Sequence, residues 1–113
     1  MRLHEFEEVV DRVIEGLPEW VVEQIDNLVV VVEEEPTREQ GEMLGVYEGV
    51  ALNERGDNYF GAMPDRIVIF RLPHLDLGLK HADLEGEIRR TVLHEIAHHL
   101  GIDDDRLTEL GWD

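Results

Sequence analysis

The chain has 113 residues, of which 27 are acidic and 10 are basic, so its formal net charge is −17. This length suits a single domain over residues 1–113, and the acidic balance opposes binding to nucleic acid or to an anionic membrane. The absence of cysteine excludes disulfides, thiol catalysis and thiolate metal sites. No apolar run approaches the roughly 20 residues that span a bilayer, and the N-terminus lacks an apolar signal core, so we expect a cytoplasmic protein.

The first two predicted elements are helices. Apolar residues recur at helical spacing over residues 3–15, which predicts an amphipathic helix with an acidic outer face. Gly16 and Pro18 interrupt this pattern, and Pro18 can open a short second helix over residues 18–25.

Three predicted strands follow. Leu28–Val32 is an uninterrupted apolar run, which indicates a strand buried on both faces. Val46–Leu52 alternates loosely and is predicted to be the second strand. The third is expected over about Arg66–Leu72, where Pro73 ends it. A turn-rich connection over residues 53–64 separates the last two strands, so we expect them to pair as an antiparallel hairpin.

The last long predicted element is a helix over residues 81–101, with Asp83 as its N-cap and Gly101 as its C-terminal stop. Its apolar stripe contains Ile88, Val92, Ile96 and Leu100. A short acid-capped helix is expected after it. The order of the elements indicates an α+β fold, in which a small three-stranded mixed sheet packs on the N-terminal helix and on the last long helix.

The last long helix carries two histidines that suit a metal site. His94 and His98 are four residues apart, a spacing that places their Cβ atoms about 5–6 Å apart on one helix face. Both imidazoles can therefore bind one ion. Glu95 projects beside the pair, where it can hydrogen-bond a water molecule. Two ligands and a general base are the physical content of the H-E-x-x-H pattern.

A catalytic zinc ion usually has three protein ligands, so a third is expected downstream. Gly101 stops the helix three residues after His98, and Asp104 lies three residues further on. We predict Asp104 as the third ligand. Asp103 and Asp105 stay open as alternatives and are more typical of helix-capping residues.

The pattern formed by His94, Glu95, His98, Gly101 and Asp104 resembles the Asp-zincin variant of the zincin metallopeptidases. The short chain and the order of its elements resemble the compact bacterial zincin-like metallopeptidases. The resemblance implies one Zn²⁺ held by His94, His98 and Asp104, which lowers the pKa of its water. It also implies peptide-bond hydrolysis, with Glu95 taking the proton of that water and passing it to the leaving amine.

The same resemblance implies a peptide or unfolded protein as substrate, lying beside an edge strand. Val46–Leu52 is our candidate for that strand, because strand addition relies on backbone hydrogen bonds. We expect a monomer or a weak homodimer.

Two alternative functions stay open. One is a catalytically weak or inactive zincin-like module that binds a metal or a partner. It gains support because neither Tyr47 nor Tyr59 stands in a motif for an oxyanion-stabilising group, and no methionine follows Asp104 to floor the metal site. The other is a metal-dependent endoribonuclease, but Glu95 and Asp104 stand where its motif has glycine and histidine.

Two residues near the motif are expected to support it. We hypothesise that Trp112 packs under the metal ligands in place of the missing methionine; the alternative is core packing at the end of the chain. His99 points about 100° away from His98 around the helix, so we expect a supporting or surface residue rather than a ligand.

Overall fold

The computed structural model describes residues 1–56 and 63–112. Its helices and strands are, in chain order, α1 (Leu3–Glu15), α2 (Glu19–Gln24), β1 (Leu28–Glu33), β2 (Gly45–Glu48), a 3₁₀ helix (Leu52–Glu54), β3 (Asp65–Phe70), α3 (Arg71–Leu75), α4 (His81–Leu100) and α5 (Asp104–Leu110). The expected α+β fold is confirmed. Within the two described ranges, no helix is both long enough and apolar enough to cross a bilayer.

The sheet is mixed, with strand order β1-β3-β2. The central strand β3 runs parallel to β1, with Leu28 opposite Asp65. It runs antiparallel to β2, with Val46 opposite Val68, so the predicted antiparallel pairing of the second and third strands is confirmed. β2 therefore lies at one edge of the sheet, next to α4.

One face of the sheet carries the core. Side chains alternate along a strand, so Ile67 and Ile69 of β3 share a face with Val30 of β1, and all three belong to the apolar cluster built with α1 and α4. On the opposite face Val29 is 43% exposed. The prediction that β1 is buried on both faces is therefore wrong, because the helices of that cluster pack on only one of them.

The second strand ends earlier than predicted. β2 stops at Glu48, and Leu52 begins the 3₁₀ helix instead of closing the strand. Gly49 has φ +152°, and a Cβ there would overlap the carboxylate of Asp65. This close approach takes the backbone out of the ladder, and it depends on a residue distant in sequence.

The third strand also ends earlier than predicted, at Phe70 rather than Leu72. The chain turns directly into α3, which contains Pro73. Proline is tolerated there because the first-turn N–H groups of a helix have no intrahelical partner. Pro73 is therefore part of a helix start and does not mark the end of the strand.

The long helix α4 has the predicted buried stripe but a different start. Ile88, Val92, Ile96 and Leu100 are all buried. The N-cap is Lys80, without a side-chain cap bond, so the prediction of Asp83 as N-cap is wrong. Asp83 lies within the first turn, where a negative charge still favours the helix dipole. Gly101 ends the helix in the left-handed conformation at φ +76°, as predicted.

Candidate metal centre

The structure brings His94, Glu95 and His98 together on α4. One potential ligand atom from each lies within 4.8 Å of the others. The two imidazole rings meet edge to face, with centroids 4.6 Å apart. The spacing of four residues thus gives the convergence expected from the sequence.

The surroundings of these three side chains differ. The side chain of His98 is 41% exposed and His94 is half-buried, so both rings can be reached from solvent. Glu95 is only 6% exposed, and its Oε1 lies 3.5 Å from Nδ1 of His98. The neighbouring residues Leu93, Ile96 and Ala97 are buried in the core, which keeps this face of α4 fixed.

In the metal-free chain, Glu95 holds a proton more tightly than a surface glutamate does. Burial raises the pKa of its carboxyl group, and the nearby His94 only partly offsets that rise. A carboxylate of raised pKa accepts a proton more readily near neutral pH, which is what a general base requires.

The edge strand β2 packs against the helix face that carries Glu95. Thr91 and His99 lie one turn before and one turn after Glu95, so the three side chains share this face. A Cβ on Gly45 would lie 2.8 Å from Cγ2 of Thr91, and the ring of Tyr47 is 6.0 Å from that of His99. Glu95 therefore lies between two contacts with β2.

Asp104 lies outside the group formed by the other three residues. It is exposed in the first turn of α5. Asp103 caps that helix by accepting a hydrogen bond of 2.8 Å from the backbone N–H of Arg106, which is the capping role expected for it. The assignment of Asp104 as the third ligand stays a prediction.

His99 is a buried supporting residue rather than a surface one. Its Nδ1 donates to Oδ2 of Asp65 at 2.9 Å, and its Nε2 accepts from the backbone N–H of Asp26 at 3.2 Å. Burial lowers the pKa of the ring, although Asp65 opposes that change. Because Nε2 accepts a hydrogen bond, the hydrogen-bond partners assign the ring proton to Nδ1.

Asp65 is a residue that sequence reasoning missed. Its carboxylate accepts hydrogen bonds from Tyr47, from Arg55 and from the backbone N–H of Val50 as well as from His99. Burial alone would raise the pKa of Asp65, but these hydrogen bonds outweigh it and lower the pKa. Asp65 and His99 are 34 residues apart, so no local spacing could have signalled the pair.

Trp112 packs on Trp20. Its indole stacks on that of Trp20, with centroids 6.1 Å apart, and it lines a groove with Leu93 and Arg89. Trp112 is buried, whereas Trp20 is 40% exposed. This arrangement matches the alternative of core packing at the end of the chain and gives no support to a floor under the metal.

Of the two tyrosines considered as oxyanion-stabilising groups, Tyr59 lies outside the described residues.

The donor set fits zinc. Imidazole nitrogens and carboxylate oxygens are the ligands that Zn²⁺ takes when thiolates are absent. His94 and His98 provide two such nitrogens within 4.8 Å of each other, with a carboxylate oxygen within the same distance.

Comparison with known proteins agrees with this geometry. Residues 25–112 match a family model described as zincin-like metallopeptidase. The structure is similar to that of a conserved hypothetical protein from T. thermophilus, with 24% sequence identity and a TM-score of 0.59, over 99% of this chain and 100% of that one. At this identity the likeness shows a shared fold only. No curated protein matches the chain. Because the family model covers most of its length, the chain belongs to the zincin-like metallopeptidase family.

Proposed function

We propose that the chain is a zinc-dependent peptidase in which His94 and His98 bind the ion and Glu95 is the general base. One observation carries this proposal. A buried carboxylate with a raised pKa lies within 4.8 Å of two histidine nitrogens that solvent can reach. Carboxylates whose pKa is shifted by burial cluster at catalytic sites, which favours catalysis over metal storage here.

We propose Asp104 as the third ligand. It is exposed and lies three residues after Gly101, the residue at which α4 ends. Its neighbour Asp103 already uses its side chain as a helix cap, which leaves Asp104 as the carboxylate with the predicted spacing.

The chemistry divides between the ion and the protein. When bound, zinc polarises a carbonyl group and makes a water molecule more acidic. Glu95 accepts a proton from the attacking water and delivers it to the nitrogen of the leaving amine. The buried stripe of α4 keeps the carboxylate in place during both transfers.

The proposed substrate is an extended peptide or an unfolded protein segment. β2 is an edge strand, and it packs on the face of α4 that carries Glu95. A peptide that adds to this edge would use backbone hydrogen bonds, which make few demands on its side chains. The charge of −17 disfavours a nucleic acid substrate. We place this activity in the cytoplasm, in a monomer or a weak homodimer.

The test is cleavage of unstructured peptides by the zinc-loaded protein, with Glu95→Gln as the matched variant. We expect the wild type to bind one zinc ion and to cleave. Glu95→Gln should retain the ion and lose at least about 10²-fold in rate, as expected when a general base is removed. Cleavage that is independent of Glu95, or protein that takes up no zinc, would refute the proposal.

A second candidate is a zinc-binding interaction module without catalysis. The observation in its favour is that Asp104 lies outside the group of potential ligands, so the described site has fewer converging ligands than a catalytic zinc usually has. Zinc uptake without Glu95-dependent cleavage would support this candidate over the peptidase.

A further inference from the structure

We infer that Asp65 is a positioning residue for the metal centre: through His99 it fixes the last turn of α4, which carries His98. The inference rests on the proposed metal site, although the contacts that support it involve no ion. Asp65 lies at the start of β3, and its side chain is only 2% exposed.

The carboxylate of Asp65 is held from four directions. Oδ2 accepts hydrogen bonds from the hydroxyl of Tyr47, from Arg55 at 2.9 Å and from Nδ1 of His99 at 2.9 Å. Oδ1 accepts from the backbone N–H of Val50 at 3.2 Å. A carboxylate with four donors has little freedom to rotate, so it provides a fixed point for each of them.

His99 links the fixed carboxylate of Asp65 to α4. Both ring nitrogens are engaged, with Asp65 at Nδ1 and the backbone N–H of Asp26 at Nε2. A rotation of the last turn of α4 about its axis would break both hydrogen bonds. His98 is the adjacent residue and Glu95 lies one turn earlier, so the direction of each depends on the setting of His99.

The same cluster reaches the turn that precedes Asp104. Arg55 donates to the backbone carbonyls of Val50 and Asp26 at 3.0 and 3.1 Å as well as to Asp65. Two residues before it, Asn53 packs so closely on Gly101 that a Cβ there would overlap its side-chain amide. The cluster around Asp65 thus contacts the strand and the helix of the proposed centre, and the exposed Asn53, two residues before Arg55, contacts the turn.

Stability alone is a poor explanation for such a cluster. The cost of taking charged groups out of water largely offsets their attraction, and well-packed apolar side chains often do as well. Hydrogen bonds differ from apolar contacts in fixing direction as well as distance. A centre whose rings must point at one ion needs that directional restraint.

The test compares Asp65→Asn and Tyr47→Phe with Val10→Ala, a core variant in α1 that removes none of these hydrogen bonds. Zinc affinity is measured by competition with a chromophoric chelator, at a temperature where every variant is folded. Asp65→Asn should bind zinc about 10–100-fold more weakly, the range typical of residues that orient metal ligands. Val10→Ala should stay within about twofold, because it leaves every hydrogen bond of Asp65 and His99 in place. Tyr47→Phe removes one donor of four, so it should weaken binding less than Asp65→Asn but more than Val10→Ala.

A second measurement needs no metal. The ring ¹⁵N resonances of His94 and His98 in the metal-free protein should shift in Asp65→Asn and stay unchanged in Val10→Ala. Failure of the wild type to bind zinc would refute the proposed function, and the resonances would still decide the inference. Folded Asp65→Asn with wild-type affinity or wild-type resonances would overturn it, as would an equal effect of Val10→Ala. If Asp65→Asn does not fold, the comparison of Tyr47→Phe with Val10→Ala decides.

Discussion

The ring of His74 in α3 and the hydroxyl of Thr91 in α4 are joined by a buried hydrogen bond of 2.9 Å. The other ring nitrogen, Nδ1, lies 2.6 Å from the carbonyl of Phe70. A neutral ring satisfies the contact with Phe70 when Nδ1–H donates to that carbonyl. The single hydrogen of the Thr91 hydroxyl, which also lies 3.0 Å from the backbone carbonyl of Glu87, is then shared between that carbonyl and Nε2. Burial lowers the pKa of His74. The hydrogen bond to Phe70 and the charge of Glu87 act in the opposite direction but only partly offset this lowering.

This burial predicts a loss of stability in mild acid. Below the ordinary pKa of 6.5 the unfolded chain binds a proton that folded His74 rejects, so the free energy of unfolding falls as the pH drops. The fall ends once the folded ring protonates. Urea unfolding between about pH 7.5 and about pH 5 should show this slope. The slope should be shallower in His74→Gln. Part of the slope should remain in that variant, because burial also lowers the pKa of His99. Equal slopes in the two proteins would contradict the prediction.

Glu95 should reduce the stability of the metal-free protein. Its raised pKa means that the folded chain holds a proton more tightly than the unfolded chain, so stability falls as the pH rises through the folded pKa. Glu95→Gln should therefore raise the free energy of unfolding at pH 7 by about 0.5–2 kcal/mol, the range typical of single stabilising replacements. The gain should shrink toward about pH 4, where Glu95 is protonated in both states. Chemical denaturation of chelator-treated protein at the two pH values measures it.

Zinc should stabilise the fold through the two histidines. Free zinc at about 100 times its dissociation constant adds about 2.7 kcal/mol to the free energy of unfolding. His98→Ala should lose most of this gain, because it removes one of the two converging rings. His4→Ala, which changes an exposed histidine on α1, should keep all of it. Thermal unfolding with and without zinc gives the comparison, and a similar shift in both variants would place the ion elsewhere.

Gly49 and Gly41 should differ in their tolerance of alanine. Both have positive φ, at +152° and +72°, but only a Cβ on Gly49 meets Asp65, while nothing lies within 4 Å of one on Gly41. Gly41→Ala should cost only the backbone strain, about 1–2 kcal/mol. Gly49→Ala should cost more than that, because it also displaces the buried carboxylate. The urea midpoints of the two variants measure the two losses of stability. Equal losses would show that Asp65 moves to make room for the added methyl group.

Trp112 should matter for stability and not for zinc. Its buried indole stacks on Trp20, so Trp112→Ala should lower the free energy of unfolding by about 3 kcal/mol. Its zinc affinity should stay within about twofold of the wild type where the variant is folded. Trp20→Ala, at a more exposed position, should cost less. A large loss of zinc affinity in Trp112→Ala alone would instead restore the hypothesis of a floor under the ligands.

Elements whose signals are local could be predicted well. The apolar period of α1 and the glycine after it place the helix at Leu3–Glu15, and Gly101 ends α4 as expected. The ends of the strands could not be predicted, because they depend on distant partners. Asp65 approaches Gly49 only after β2 and β3 have paired.

The same distinction holds within the candidate site. His94, Glu95 and His98 lie within two turns of one helix, so their spacing alone implies their convergence. The Asp65–His99 pair joins the start of a strand to the end of a helix, and only the tertiary fold reveals it. The packing of Trp112 could not be predicted for a related reason: its distance from Asp104 along the chain says nothing about which face of α4 it packs on.

The edge position of β2 has a consequence for the handling of the protein. A strand edge that can receive a substrate can equally receive the same strand of another molecule, which is the usual route to edge-to-edge aggregation. Two copies that each carry −17 repel one another, and Glu48 adds a negative charge on the strand itself. Added salt weakens this repulsion, and at physiological ionic strength charges more than about 8 Å apart are largely screened from one another. Concentrated stocks should therefore stay clear in dilute buffer and become turbid as salt is added.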